Sequence, residues 1–410
     1  MAFEAFAERD YRRFWTSQFI SNVGSWMQMI AQGWLVYHLT DSPFLLGFVG
    51  FSNSLPMFFL MLPGGVVADR LNRRRVVIAS QWVQTLSSLF LAVAIRTNQI
   101  TVWQIIAASV ANGVAMSFSS PAWQAMVVDI LEDRSRLSNA VAMNSLQFQL
   151  SRGIGPLLAG LALSAYGPFW CFFLNSLSFV PLIWVLEVIQ DRQRVGASDG
   201  PMMSRLAEGF RYVVEQKTVL LLLGIAAASS LFGYPFMTIM PMAARILYHG
   251  DDRRGLGFLM GAVGAGAAIG ALLLSIRTPS RRWMMKSILA AMLVFGAGLI
   301  AFGLVRAHDF LMVLLVVCGA SMVVTLALCN TSIQQRIPDA MRGRVLSMYT
   351  FAFNGFLPFG NLIAGTLAEH RGLSAAMIVL GGGVFVCALI AVALVLINVK
   401  RQTSNVKVFG

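Results

Sequence analysis

Residues 65–75 place Asp69 and four arginines, Arg70, Arg73, Arg74 and Arg75, between two long apolar stretches. Ionised groups packed this densely are too costly to leave in hydrocarbon. The stretch is therefore predicted to be a short loop clamped between two membrane-crossing helices. Composition agrees: 57% of the 410 residues are apolar and only 12% are charged, a balance that would coat a soluble globule with exposed apolar surface. Hydropathy divides the chain into about twelve helical segments of spanning length. They lie near residues 14–39, 44–68, 76–96, 102–127, 137–165, 169–189, 218–248, 255–276, 284–305, 310–334, 344–368 and 375–398. The expected fold class is an all-α membrane protein with short loops.

Basic residues collect on the cytoplasmic side of membrane proteins. Arg12, Arg13, Arg70 to Arg75, Arg134, Arg136, Arg192, Arg205, Arg281, Lys286, Arg342, Arg344 and Lys400 all fall in alternate loops or at the termini. The opposite loops keep few, among them Arg96, Arg245, Arg253 and Arg371. Both termini are therefore expected in the cytoplasm. The formal net charge of +13 then reads as orientation plus attraction to anionic membrane lipid. No nucleic-acid partner is expected, because the charges are dispersed among loops and not gathered on one face. No cleavable signal peptide is visible before Phe14, so the first span is expected to direct insertion. Cys171, Cys318, Cys329 and Cys387 fall in apolar spans without paired or metal-like spacing and read as packing residues. Neither a metal nor a cofactor is expected.

The longest polar interval divides the chain into a bundle at residues 1–189, a cytoplasmic linker at 190–217 with an amphipathic stretch, and a second bundle at 218–410. The halves echo one another: Gly155, Pro156 and Gly160 are matched later by Gly360, Asn361 and Gly365. The 65–75 motif resembles the loop between the second and third helices of the major facilitator superfamily. Along the first span, Tyr11, Arg12, Arg13, Phe14, Trp15, Gln18, Asn22, Trp26, Gln28, Gln32 and Trp34, together with Asn144, Gly153 and Arg342, look like the bacterial transmembrane secretion-effector branch of that superfamily. Enterobactin exporters and macrolide efflux pumps belong to it. The resemblance implies the major facilitator fold, twelve transmembrane helices in two six-helix pseudo-repeats, in a bacterial inner membrane. It also implies a monomer coupled to a proton gradient and working by alternating access.

Within that resemblance, Gly65, Asp69, Arg70, Asn72, Arg73 and Arg74 form a gate motif. Asp69, at the end of the second span, can meet the N-terminus of another helix. The resemblance implies that this is the eleventh span, starting near Arg344, and that the contact is a cytoplasmic latch. The alternative is a loop whose charges only set topology. Asn72 stands where the family has glycine, and asparagine tolerates a left-handed turn. In the second half Ile276 lies near the position of the aspartate, so the twin latch is degenerate. Gly153, Gly155, Pro156 and Gly160 of the fifth span resemble the Gly-Pro antiporter motif. Glycines permit close helix approach and proline bends the helix. Gly257, Gly261, Gly264, Gly266 and Gly270 of the eighth span offer a matching surface, so these two spans are expected to form one side of the interface between halves. A plain packing and kink site is the alternative.

Arg152 lies near the middle of the fifth span, where a lone cation costs about 3 kcal/mol on insertion scales. No acidic residue falls at mid-membrane. Either Arg152 faces a hydrated cavity and meets an anionic or carbonyl-rich substrate, or it is tied to backbone carbonyls and amides such as Gln147 and Gln149. The missing acid also argues against a cationic-drug pump and against a protonated mid-membrane carboxylate. Proton coupling, if through a carboxylate, would fall to Asp69 or Asp129. Polar stripes at helical spacing mark a cavity wall: Gln18, Asn22, Ser25, Met29 and Gln32; Asn112, Met116, Ser119 and Trp123; Ser230, Tyr234 and Met237; Ser321, Thr325 and Ser332; Asn354, Pro358 and Asn361. Helix-to-helix bonding is the alternative for any one of them. His38, His249, His308 and His370 at outer ends share no ligand spacing, and Trp15, Trp34, Trp103 and Trp170 suit an aromatic belt.

The reading is a secondary active transporter that exports a bulky organic small molecule, siderophore-like or otherwise anionic. A macrolide or multidrug efflux pump is the alternative. A membrane enzyme or sensor ranks far behind, since nucleophile, base and nucleotide motifs are missing from the spans.

Overall fold

The computed structural model describes residues 4–131, 133–189, 202–276, 280–305 and 308–408, and every regular element among them is helical. A short turn at Glu4–Ala7 leads into α1 (Arg9–Thr40), α2 (Pro43–Arg70), α3 (Arg73–Arg96), α4 (Val102–Ile130), α5 (Leu137–Tyr166) and α6 (Pro168–Val188). Then come α7 (Met202–Glu215), α8 (Lys217–Ala228), α9 (Met240–Leu247), α10 (Asp252–Ile276), α11 (Arg281–Leu304), α12 (His308–Gln334) and α13 (Asp339–Val408). Of the expected linker, α7 occupies the amphipathic stretch, and residues 190–201 lie outside the described residues.

Nine helical stretches among the described residues are long and apolar enough to cross a membrane. One of them, Arg344–Ile397, holds two crossings, because Gly372 turns the chain inside α13 at φ 78, a conformation that costs glycine nothing. α1 and α5 have the length and fall short in apolarity, since they carry the polar stripe of Gln18, Gln28 and Gln32 and the charge of Arg152. Counting these, twelve segments of spanning length are present, as the hydropathy reading expects. The fifth and sixth segments of each half are joined by the same device: Gly167 (φ 83) follows α5 as Gly372 (φ 78) divides α13.

Packing repeats as well. α2 lies on α4, α3 on α4 and α6, and α1 on α5 and α6; α10 lies on α12, and α11 on α12 and α13. Two seams join the halves, α5 against α10 and α2 against the first part of α13. In both, glycines set the approach. A Cβ on Gly160 would overlap the Cα of Gly257, and one on Gly47 would fall 2.9 Å from the Gly365 Cα, so neither seam leaves room for a side chain.

The apolar core is split unevenly. One cluster draws on both halves and runs from Met27, Trp34 and Leu46 through Leu256, Leu315 and Ala364. The other, built on Tyr11, Phe14, Val77, Met126, Ala140 and Phe179, belongs to the first half alone and lies at the end where the chain begins. The halves are thus fused at the far end, which carries Thr40, Leu247 and Glu369. Toward the N-terminal end the first half packs on itself.

Candidate functional site at the seam between the halves

Arg152 sits in the middle of α5, only 5% exposed. Its guanidinium crosses into the second half, with Nη2 3.3 Å from the Met322 sulfur of α12 and Cζ 5.1 Å from the centre of the Tyr234 ring. On its own side the Trp26 ring of α1 lies 5.8 Å away. Close approach of α5 and α10 permits this reach: a Cβ on Gly264 would stand 3.0 Å from the Gly153 Cα. Among the described residues Arg152 has no carboxylate and no oxygen partner. Gln147 is buried one turn away but neither of its amide atoms has a partner among the described residues, and the Gln149 side chain lies outside them. Each cation–π contact contributes ~0.5–2 kcal/mol, and a thioether is a weak acceptor. Together they roughly offset the insertion cost while leaving most of the guanidinium donors unused.

Tyr234 is brought over Arg152 by a break in the seventh crossing, which the hydropathy pattern reads as one continuous helix at 218–248. Instead α8 stops at Ala228, widens into a π-type turn at Ser229–Gly233, tightens into a 3-10 turn at Tyr234–Met237, and resumes as α9. Pro235 and Pro241 remove two backbone donors, and Gly233 admits the Phe295 ring. The Ser230 hydroxyl donates to the Phe353 carbonyl, the Thr238 hydroxyl donates to Asn361 Oδ1 at 2.9 Å, and Tyr234 meets the edge of Phe353 with ring centres 4.8 Å apart. A helix interrupted at mid-membrane exposes backbone groups that a continuous helix would satisfy internally.

The other predicted cavity residues divide. Met29 and Met116 are 45% exposed, and Asn22 is half-buried. Gln32 donates to Ser109 Oγ at 3.0 Å, while Gln18 Oε1 and Asn112 Oδ1 are buried without a partner among the described residues. Met237 packs against the joint core. Several are spent on packing where cavity was expected. Trp123 lies against Phe14 in the first-half core, Thr325 donates to the Ser321 carbonyl of its own helix, and Asn354 Nδ2 donates to the Thr350 carbonyl one turn back. Asn361, held by Thr238, fills the space beside Gly50 in the α2 seam. Trp26, Met322 and Phe353 were missed, since an aromatic or methionine in an apolar span gives no sign of facing a charge.

Glycines assigned to the α5–α10 interface also divide. Gly160 faces Gly257, and Gly153 faces Gly264, with Gly261 beside Leu157. Gly155 instead faces α1, where a Cβ would stand 3.0 Å from the Val23 carbonyl, and Pro156 is buried within α5. Gly266 and Gly270 face Val316 and Ala320 of α12, inside the second half. Trp34 departs from the belt: it is 3% exposed, with His38 stacked 4.6 Å from it and the Arg253 guanidinium 4.7 Å from its ring, whereas Trp103 is exposed.

At the loop motif α2 ends at Arg70, and the side chains of residues 65–70, Asp69 and Arg70 included, lie outside the described residues. Asn72 does not take a left-handed turn. At φ −64 and ψ 111 it is the N-cap of α3 and accepts from the Arg75 amide at 3.0 Å, which explains an asparagine at that position. Arg73 pairs with Asp129 of α4 at 2.9 Å, and Arg74 Nη1 donates to the Ile189 carbonyl at 2.9 Å, with the Glu187 carboxylate 3.2 Å from its Nη2. These contacts bind α3 to the ends of α4 and α6. Arg344, at the start of the eleventh crossing, pairs with Glu208 of α7 at 2.6 Å.

Two six-segment halves, glycine seams and a broken helix over a buried cation define a membrane carrier of the major facilitator fold. The chain belongs to the transmembrane secretion effector family, whose model matches residues 1–408. It is a multi-pass protein of the cytoplasmic membrane. It is 23% identical over 386 residues to the staphyloferrin A transporter of Staphylococcus aureus, covering 90% of this chain and 92% of that one. It is 27% identical over 350 residues to the enterobactin exporter EntS of Shigella boydii, covering 83% and 80%. Among solved structures it is similar to the nucleoside transporter NupG, with a TM-score of 0.71 at 15% identity over 94% of this chain and 99% of that one. A bacterial homologue of the iron transporter ferroportin, in an inward-facing state, gives 0.67 at 14% identity over 93% and 97%. The solved structures speak for the fold alone.

Proposed function

We propose that the protein is a secondary active exporter of a bulky, anionic organic solute, siderophore-like in chemistry. It works by alternating access between bundles at residues 1–189 and 218–410, linked by 190–217, with both termini in the cytoplasm. One observation carries the substrate class: Arg152, a buried cation without an oxygen partner among the described residues, held between rings and a thioether at the seam where the halves must part. An anion entering there gains charge-assisted hydrogen bonds at a cation whose desolvation is already borne by the fold. The name of the enterobactin exporter supports the direction, and the names of both relatives support the chemistry. The uneven core, fused at the far end, fits a resting state open to the cytoplasm, the side from which an exporter loads. Coupling to the proton gradient belongs to the same proposal, with Asp129 beside Arg73 as a carboxylate at the cytoplasmic end.

The test compares, by mass spectrometry, external and internal metabolites of the native host with and without this protein under iron limitation. One secreted anion should accumulate inside, with export restored by wild type and not by Arg152→Met. A second reading, efflux of neutral macrolide-sized drugs, is favoured by the exposed thioethers of Met29 and Met116, which adapt to varied apolar ligands. Unchanged metabolites together with altered drug susceptibility would select it.

A further inference from the structure

At the fused end one carboxylate does the work of a helix cap for a helix in the other half. α2 begins at Pro43, and its first-turn amides need acceptors. Glu369, late in the eleventh crossing, supplies one: its Oε2 accepts from the Phe44 amide at 3.0 Å and from the Ser42 hydroxyl at 2.8 Å. The negative charge also faces the positive end of the α2 dipole. Below it the two helices are in backbone contact through Gly47 and Gly365, and Gly50 lies against Asn361. Beside it, Arg245 of α9 pairs with Asp41 and lies 5.6 Å from the Tyr37 ring. A glycine seam holds by close fit and has few side chains to interlock, so the polar tie at its end governs how readily it opens.

We propose that Glu369 is the latch of this end: it keeps the end shut by capping α2 in trans, and release of that cap is the step that lets the seam part. The contact stands independently of the export reading. Only its consequence, control of access from the outer side, rests on alternating access.

The test uses the full-length protein in lipid nanodiscs without added ligand, with Cys387→Ser to remove the half-buried native thiol. Ala368, 1% exposed, shares the α13 stripe of Asn361 and Gly365 that faces α2; Met260, 1% exposed, shares the α10 stripe of Gly257 and Gly264 that faces α5. Ala368→Cys and Met260→Cys, in separate proteins, report the two seams through their rates of labelling by a charged maleimide. Removing a helix cap should raise the open-to-closed ratio about fivefold. Glu369→Ala should therefore speed labelling about fivefold at both reporters. Ser42→Ala keeps the Phe44 amide bond to Glu369 and removes a hydroxyl that donates to Glu369 and accepts from the Leu45 amide at 3.3 Å, so it should speed labelling in the same direction. Unchanged rates in both variants would overturn the latch. A rise at Ala368→Cys alone would also overturn it, by showing local fraying of α13 and not opening of the end. If Glu369→Ala does not fold, Glu369→Gln, which removes the charge and keeps the shape, takes its place with the same two outcomes.

Discussion

Arg152→Met separates a ligand-binding cation from a structural one. In the resting protein the guanidinium gains two cation–π contacts, ~0.5–2 kcal/mol each, and a weak contact with the Met322 sulfur. Against this stands an insertion cost of about 3 kcal/mol for a charge at mid-membrane. The terms offset to within about 2 kcal/mol, so replacing the arginine by an apolar side chain of similar length should leave stability unchanged or raise it slightly. Binding should respond differently. A charge-assisted hydrogen bond contributes about 1.5–3 kcal/mol, and each 1.4 kcal/mol is about tenfold in affinity. The exported anion should therefore bind roughly 10- to 100-fold more weakly to the variant, while a neutral macrolide binds both proteins alike. Thermal unfolding in nanodiscs and equilibrium binding on the same preparations supply the two readouts. A fall in stability of more than about 3 kcal/mol, reversed by Arg152→Lys and unaccompanied by any ligand effect, would refute the reasoning and make Arg152 a structural bridge.

Other positions give sharper local outcomes. Gly160→Leu should destabilise by about 1–3 kcal/mol or more and abolish transport, because its Cβ already overlaps the Gly257 backbone. Gly382→Ala, where a Cβ meets nothing, should be neutral or stabilise by up to about 1 kcal/mol. Asn72→Ala should cost about 1 kcal/mol through loss of the α3 cap, whereas Asn72→Gly should cost only a few tenths, both read from thermal unfolding. Among the native thiols, Cys387 should react first with a membrane-permeant maleimide, since Cys171, Cys318 and Cys329 are buried; mass spectrometry of partly labelled protein checks the order.

Hydropathy made the crossings legible because each needs a long apolar run, and the glycines of α5 and α10 announced a seam because no other residue allows backbones so close. Three things stayed hidden for physical reasons. Period alone cannot say which neighbour a small residue faces, so Gly155, Gly266 and Gly270 were given to α10 or α5 when they serve α1 and α12. A polar residue in a span is spent as easily on its own helix as on a ligand, which is the fate of Thr325 and Asn354. The break at Ser229–Gly233 left one local sign, Gly233 before Pro235, yet that pair also occurs in kinked continuous helices.

Helix breaks, glycine seams and a lone cation all weaken a membrane protein taken singly, yet here they lie along one surface. The break in the seventh crossing frees Tyr234 to meet Arg152, and the Gly153–Gly264 approach brings that arginine within reach of Met322. Were the halves fixed, a leucine seam and an apolar residue at position 152 would serve better. The described ion pairs that hold elements rigid, Arg73 with Asp129 and Arg74 with Glu187, stay within the first half. Those that cross between halves, Arg245 with Asp41 and the Glu369 cap on α2, lie at one exposed rim where water can replace them at small cost. Ion pairs kept within the first half and replaceable ties between the halves fit two bodies that rock about a buried charge, as the proposed alternating access requires.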